Sequence, residues 1–284
     1  MMRSVEMNVL KKVYFIGSSG LLYQCVNLIK KDSPELPMII LETGHTPSDL
    51  RRAEKYHSET GNKQELFGIL REETEYSILF SVNNPYLIPA DIVSKENFVM
   101  VNLHHALLPA HPGRNAEAWT IYDGDTVAGI TWHRIDAGTD SGNILVQKSV
   151  PLTDEATSLK LLKLLNREAV SALNDLLPVT SIPERKGTKQ SISDDRIIRY
   201  AKDVPAGGLL DPDWDGAHIS RFLRAMDYDL LDVMGKPRVI IDGVERVISS
   251  YRIVKGGGET EKAENEYVIG RDGYTFYLSL DGAV

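Results

Sequence analysis

The sequence predicts an α/β fold: a Rossmann-like sheet domain over residues 1–190, then a linker helix and a small β-rich subdomain over 191–284. Three stretches carry that prediction. Near the start, the run Lys12 to Ile16 meets the turn Gly17-Ser18-Ser19-Gly20 and a helical run from Leu21 to Lys30. Strand, glycine turn and helix are the opening of such a sheet. In the middle, Phe98 to Val101 is apolar without alternation, as a strand buried on both faces tends to be. Toward the end come four short β-rich runs, Arg238–Ile241, Arg246–Val254, Tyr267–Ile269 and Tyr274–Leu280. Asp242-Gly243 and Asp272-Gly273 supply hairpin signals there.

The remaining elements follow in order. The first turn is GxxG rather than GxGxxG, and no acidic residue stands out at the later position, so a dinucleotide site is weakly supported. Met38 to Leu41 reads as a second strand. The charged segment 47–61, with Arg51, Arg52, Glu54 and Lys55, reads as a solvated face, with a loop near substrate as the alternative. Leu66, Phe67, Ile69 and Leu70 give helical spacing from Lys63 to Arg71. Ser77 to Val82 is a third strand, ended by residues 83–89. Pro112-Gly113 reads as a turn, Ala116 to Ile121 as a helix, Gly129 to Arg134 as a strand, 136–142 as a loop and Ile144 to Val146 as a strand. Ser158 to Leu177 is an amphipathic core helix. Pro178 to Gln190, with Pro183 and Gly187, reads as a linker. Asp211 to Asp215 leads into a helix from His218 to Met226, and Gly256 to Glu266 reads as an exposed loop.

Composition bounds the function. The chain has 284 residues and a formal charge of −8. A surface built for tRNA is usually basic, so this balance argues against nucleic acid. Residues 200–284 alone carry ten Lys or Arg against fifteen Asp or Glu. The one cysteine, Cys25, lies in an apolar helical run and reads as a buried thiol. No secretory signal and no membrane-length apolar run stands out, so a cytoplasmic, non-membrane protein is expected.

The chemistry concentrates at the end of the Phe98 strand. Residues two apart on a strand share a face, so Asn102 and His104 point the same way. An amide and an imidazole at the carboxyl end of a buried strand is where α/β sheets bind ligands. Asp140 sits on a glycine-bounded loop between two strands. His104, His105 and His111 look like a metal cluster, but adjacent strand residues face opposite ways and no Cys joins them, so no metal is expected. His133 either lines the pocket or satisfies itself on the sheet.

Asn102-x-His104, Leu107-Leu108-Pro109, Gly113, Gly129, Thr131-x-His133 and Asp136-x-Gly138-x-Asp140-x-Gly142-x-Ile144-Leu145 fall in order within residues 98–147. This order resembles the formyltransferases that use 10-formyltetrahydrofolate, among them the methionyl-tRNA, glycinamide ribonucleotide, sugar and natural-product enzymes. The resemblance implies catalytic roles for Asn102, His104 and Asp140. It implies folate contacts from Asn83, Tyr86, Leu87, Ile88, His133, Asp136, Gly138 and Thr139. Gly17, Ser18, Arg114 and Asn115 would meet the acceptor. The side chains suit that chemistry: Asn102 and a protonated His104 are donors for an oxyanion, and Asp140 can hold the imidazole or relay a proton.

The expected function is therefore transfer of a formyl group to an amine or hydroxylamine of a small or carrier-bound metabolite, by a monomer or homodimer. The segments Arg224-Ala225-Met226-Asp227 and Gly235-Lys236-Pro237 resemble formyltransferases of peptide and siderophore assembly, which puts an amino acid, peptide or siderophore precursor first. An amino sugar comes next. Methionyl-tRNA is disfavoured by the charge and the short tail, and hydrolysis of formylfolate is the other alternative.

Overall fold

The computed structural model describes residues 9–44, 59–256, 263 and 266–283. Most of the charged 47–61 segment and of the loop read over 256–266 lies outside them. In chain order the elements are β1 Lys12–Gly17, α1 Ser19–Asp32, β2 Met38–Glu42, β3 Glu59–Thr60, α2 Lys63–Glu72, β4 Ser77–Val82, α3 Ala90–Val93 and β5 Phe98–His104. Then come α4 Ala116–Asp123, β6 Val127–Arg134, β7 Ile144–Pro151, α5 Ser158–Asp175, β8 Leu209–Leu210, α6 Gly216–Ala225, β9 Arg238–Ile241, β10 Val244–Lys255, β11 Glu266–Arg271 and β12 Tyr274–Ala283.

The chain divides into two compact units. One comprises Met1–Ala110, Gly129–Lys148 and Leu165–Arg196; the other comprises His111–Ala128, Ser149–Leu164 and Ile197–Val284. Both units therefore draw on residues either side of position 190.

A seven-stranded sheet has the order β3-β2-β1-β4-β5-β6-β7. The pairs from β2 to β5 are parallel, and β6 runs antiparallel to β5. Every residue of β4 is buried, which is why its sequence, apolar at Ile78, Leu79, Phe80 and Val82 with only the small Ser77 and Ser81 besides, does not alternate with charged residues. Leu66, Phe67 and Leu70 of α2 pack with Tyr14, Ile16, Leu79 and Met100. Asn62 starts that helix with a full capping box: its side chain accepts from Gln64 and Glu65, and Glu65 accepts from the Asn62 amide.

Gly17 closes β1 at a φ of 145°, and a Cβ there would lie 1.7 Å from the Val82 carbonyl oxygen. The turn is glycine because the end of β4 leaves no room for a side chain.

Residues 178–190 differ from the linker the sequence suggested. A short 3₁₀ turn, Val179–Glu184, forms there, and Thr188 pairs with Ile144. Arg134 Nη2 donates to the carbonyls of Ile182 (2.6 Å), Pro183 (3.2 Å) and Arg185 (2.8 Å). The segment is thus built into the first unit rather than strung between bodies.

The second unit carries a five-stranded sheet in the order β11-β12-β10-β9-β8. Ile219, Phe222, Leu223 and Met226 of α6 and its end pack with Val239, Ile248, Phe276 and Leu278. Asp215 caps α6 by accepting from the His218 amide at 2.8 Å. No helix among the described residues is long and apolar enough to cross a membrane.

Candidate active site

The antiparallel pairing of β5 with β6 brings the singled-out residues together. Asn102 pairs with His133, and His104 with Thr131. Asn102 Nδ2 lies 3.1 Å from His133 Nε2. His133 Nδ1 lies 2.7 Å from the Arg134 carbonyl oxygen, which can only accept. Nδ1 therefore carries the proton in the neutral ring, and Nε2 offers a lone pair to the Asn102 amide. His133 thus meets both expectations: Nε2 faces Asn102 in the cluster, and Nδ1 is satisfied by the main chain of its own strand.

Asp140 completes the group. Its Oδ1 lies 3.4 Å from Asn102 Nδ2 and 3.4 Å from His133 Nε2, and its Oδ2 lies 3.7 Å from His104 Nδ1. His104 and His133 are buried, and the Asp140 carboxylate is 13% exposed. A carboxylate, two imidazoles and an amide thus meet where little water competes, which strengthens each electrostatic contact.

The loop holding Asp140 is pinned from below. Asp136 Oδ1 accepts from the Gly138 amide (3.1 Å) and from Ser141 Oγ (2.6 Å). Gln190 Nε2 donates to the carbonyls of Asp140 (3.0 Å) and Gly142 (2.7 Å). Turning that amide round would set Oε1 against two carbonyl oxygens, so its orientation is dictated. Arg196 Nη2 donates to the Thr139 carbonyl at 2.7 Å. Gly142 passes so close to Arg134 that a Cβ would fall 2.0 Å from its carbonyl oxygen. Under these constraints Asp140 holds a φ of 49°, a left-handed conformation uncommon outside glycine. Gln190 and Arg196 were not singled out from sequence, because nothing local marks a residue whose partners lie some fifty positions earlier.

Thr131 secures the other side. Its hydroxyl donates to the Ala106 carbonyl (2.6 Å) and accepts from the Leu108 amide (3.2 Å) and Gln147 Nε2 (2.8 Å). This fixes the chain where it leaves His104.

The other candidates are placed as follows. Gly17, Ser18 and Asn83 adjoin: Ser18 Oγ lies 3.4 Å from the Asn83 carbonyl oxygen, and Asn83 Nδ2 donates to Ser19 Oγ at 2.9 Å. Tyr86 and Ile88 pack against the core, and the Tyr86 ring meets Phe67 edge-on at 6.2 Å. The amide and carbonyl of Tyr86 are both taken by the Asn84 side chain, whereas Leu87 is 73% exposed. Asp136, Gly138 and Thr139 form the loop just described. Arg114 and Asn115 belong to the second unit, at the start of α4. The three neighbouring histidines go separate ways. His104 faces Asp140, His105 Nε2 donates to Asn166 Oδ1 (2.8 Å), and His111 sits by Asp123 and Asp125 in the second unit. Among the described residues no His, Cys, Asp and Glu side chains gather in the threes a metal would need.

The chain has relatives in sequence and in fold. A GDP-perosamine N-formyltransferase from Brucella melitensis is 31% identical over 149 residues, 52% of this chain and 56% of that protein. The chain thus spans little more than half the length of this curated relative. Two solved structures share the fold. A sugar 3N-formyl transferase, WlaRD, crystallised with dTDP and 5-N-formyl-THF, has a TM-score of 0.71 at 20% identity, covering 95% of this chain and 98% of that one. The N-formyltransferase from Helicobacter canadensis, in complex with folinic acid and dTDP-3-aminofucose, has a TM-score of 0.74 at 17% identity, covering 96% and 100%. The Formyl transferase family model matches residues 31–177, a span that takes in Asn102, His104, His133 and Asp140. With just over half its length inside that match, the chain belongs to the formyl transferase family.

Proposed function

We propose that this protein transfers the formyl group of 10-formyltetrahydrofolate to the amine of a nucleotide-linked amino sugar. The observation that carries the chemistry is the convergence of Asn102, His104, His133 and Asp140 in a chain of this family. The acceptor class follows the named relatives, which include a GDP-perosamine enzyme and one crystallised with dTDP-3-aminofucose. The expectation of an amino acid, peptide or siderophore acceptor is not supported by the relatives named above and gives way to the amino sugar.

In this reading the amine nitrogen attacks the formyl carbon, and the formyl oxygen takes up negative charge. Asn102 uses both amide hydrogens inside the protein, one toward His133 and one, at 3.4 Å, toward Asp140. The longer contact is the weaker and is exchanged for the formyl oxygen as charge builds. A protonated His104 adds a second donor. Asp140 stabilises that imidazolium and takes up the proton the nitrogen releases, directly or through water. The donor nitrogen of the folate gains a proton as its bond to the formyl carbon breaks, so protons balance across the step. On the 83–89 loop, contact with the pterin falls to exposed Leu87 and the main chain that follows it, since the amide and carbonyl of Tyr86 are already satisfied.

The test is a panel of acceptors assayed for tetrahydrofolate release and formylated product. GDP-, dTDP- and UDP-linked amino sugars are expected to turn over, and free amino acids, hydroxylamines and methionyl-tRNA to remain untouched. Turnover only with the second group would reject the acceptor. Formate release without any acceptor would reject the transferase reading in favour of a hydrolase.

A further inference from the structure

The second unit contains a cavity of about 890 Å³, within the size range of small-molecule sites. The end of α6, the 227–237 loop, β10 and residues 154–160 wall it. None of the residues assigned to formyl transfer lines it.

Arg224 is its unusual feature. The side chain lies in the cavity wall and is 8% exposed. Nε donates to Ser220 Oγ at 3.3 Å and Nη1 to the Ala156 carbonyl at 3.0 Å. Nη2 has no partner among the described residues, and no carboxylate there comes within ion-pair distance. The acids around the cavity are committed elsewhere or lie at its rim. Asp154 pairs with Lys255 (2.7 Å), and Asp227 accepts from the Tyr251 hydroxyl (2.7 Å) and the Asp229 amide (3.0 Å). Asp232 Oδ1 accepts from the Gly235 amide (3.1 Å). Glu155 and Asp229 are exposed. The negative end of α6 offsets part of the guanidinium charge. A buried charge that meets only neutral acceptors is still costly, and burial already pushes its pKa down. Lys160 lines the same cavity, exposed and with no ion partner among the described residues.

We infer that this cavity binds a small oxyanion-bearing metabolite, with a phosphate or carboxylate group seated on Arg224 Nη2 and steered by Lys160. Arg suits the role because its planar fork meets two-oxygen groups and stays charged when desolvated. Ser250 adds a hydroxyl for the rest of such a molecule, and those of Ser249 and Tyr251, which donate to the Ser279 carbonyl and Asp227, can accept from it.

The test titrates the full chain with sodium phosphate and, separately, sodium succinate, at constant ionic strength made up with sodium chloride. Thermal midpoint and calorimetric heat are followed. At least one anion is expected to give a saturable rise in midpoint that chloride does not. Phosphate alone would mark a phosphorylated ligand and succinate alone a carboxylated one. Lys160→Ala is expected to weaken the effect about threefold or more, and Arg224→Gln to remove it. If Arg224→Gln fails to fold, Ser250→Phe, which fills the cavity from an exposed position, takes its place. No saturable effect beyond chloride overturns the inference. So does an effect that survives unchanged in Lys160→Ala and in whichever second variant folds.

Discussion

Replacing Gln190 with Ala isolates what holds the Asp140 loop. The Gln190 side chain is buried, and its amide satisfies two carbonyls, those of Asp140 and Gly142. Removing it leaves both without a donor at about 1–3 kcal/mol each; because the loop is half-exposed and water can reach part of it, the lower half of that range applies, about 2–4 kcal/mol in all. Asp140 then loses the contacts that keep it at a φ of 49°, and the loop relaxes toward ordinary backbone. A displacement near 1 Å at the reacting groups costs on the order of 100-fold in rate. Urea unfolding should show the midpoint falling with the slope unchanged, and steady-state formyl transfer should lose kcat while KM for the acceptor holds. Gln190→Asn, one methylene shorter, should keep one carbonyl at most and fall between. A Gln190→Ala protein with wild-type midpoint and wild-type kcat would refute the argument that this residue positions Asp140.

Three further outcomes are expected. Asn102→Ala, His104→Ala and Asp140→Ala should each lower kcat by about 100- to 1000-fold with the fold intact by circular dichroism, and double variants should lose little more than singles; a His104→Ala enzyme within about threefold of wild type would remove His104 from the mechanism. Burial works to raise the Glu73 pKa, but hydrogen bonds from Lys12, Tyr14 and the Glu75 amide hold it at about 2, below its ordinary 4.5. A carboxylate with a depressed folded pKa stabilises fully above its unfolded value, so this contribution should be present above about pH 4.5 and lost as pH falls toward 2. Discounted for the 28% exposure of Lys12, it amounts to roughly 1–2 kcal/mol, and acid titrations of Glu73→Gln should show that slope flattened. Burial also pushes the Cys25 thiol up to about 12, so a thiol reagent should be consumed only after denaturation; rapid labelling of the native chain would contradict the burial.

The strands were legible where their burial left a composition behind. β4 and β9 match their expected bounds because Ser77–Val82 and Arg238–Ile241 are short apolar or branched runs between turn residues. Asn102, His104 and Asp140 were legible through spacing along one strand and one glycine-bounded loop. His133 was legible only as two alternatives, pocket or sheet, because its partner depends on the register between β5 and β6, and register is set by pairing rather than by either strand alone. Pro183 and Gly187 punctuate their segment as a linker would. What converts it to part of a folded unit is the guanidinium of Arg134, about fifty residues earlier, which no local pattern reveals. Tyr86 and Ile88 read as a ligand face, and both, half-buried, also pack against the core beneath them.

The interleaving of the two compact units bears on how this protein can be altered. Residues 111–128 and 149–164 belong with the C-terminal sheet, yet lie in sequence on either side of the strand that carries His133. A cut near residue 190 therefore yields two incomplete pieces, neither holding its own full complement of chain. Exchanging the tail with that of a homologue would graft foreign strands onto native helices they did not evolve beside. Either unit of this chain is thus open to change by point substitution and loop replacement, and a single-cut cassette exchange would divide it.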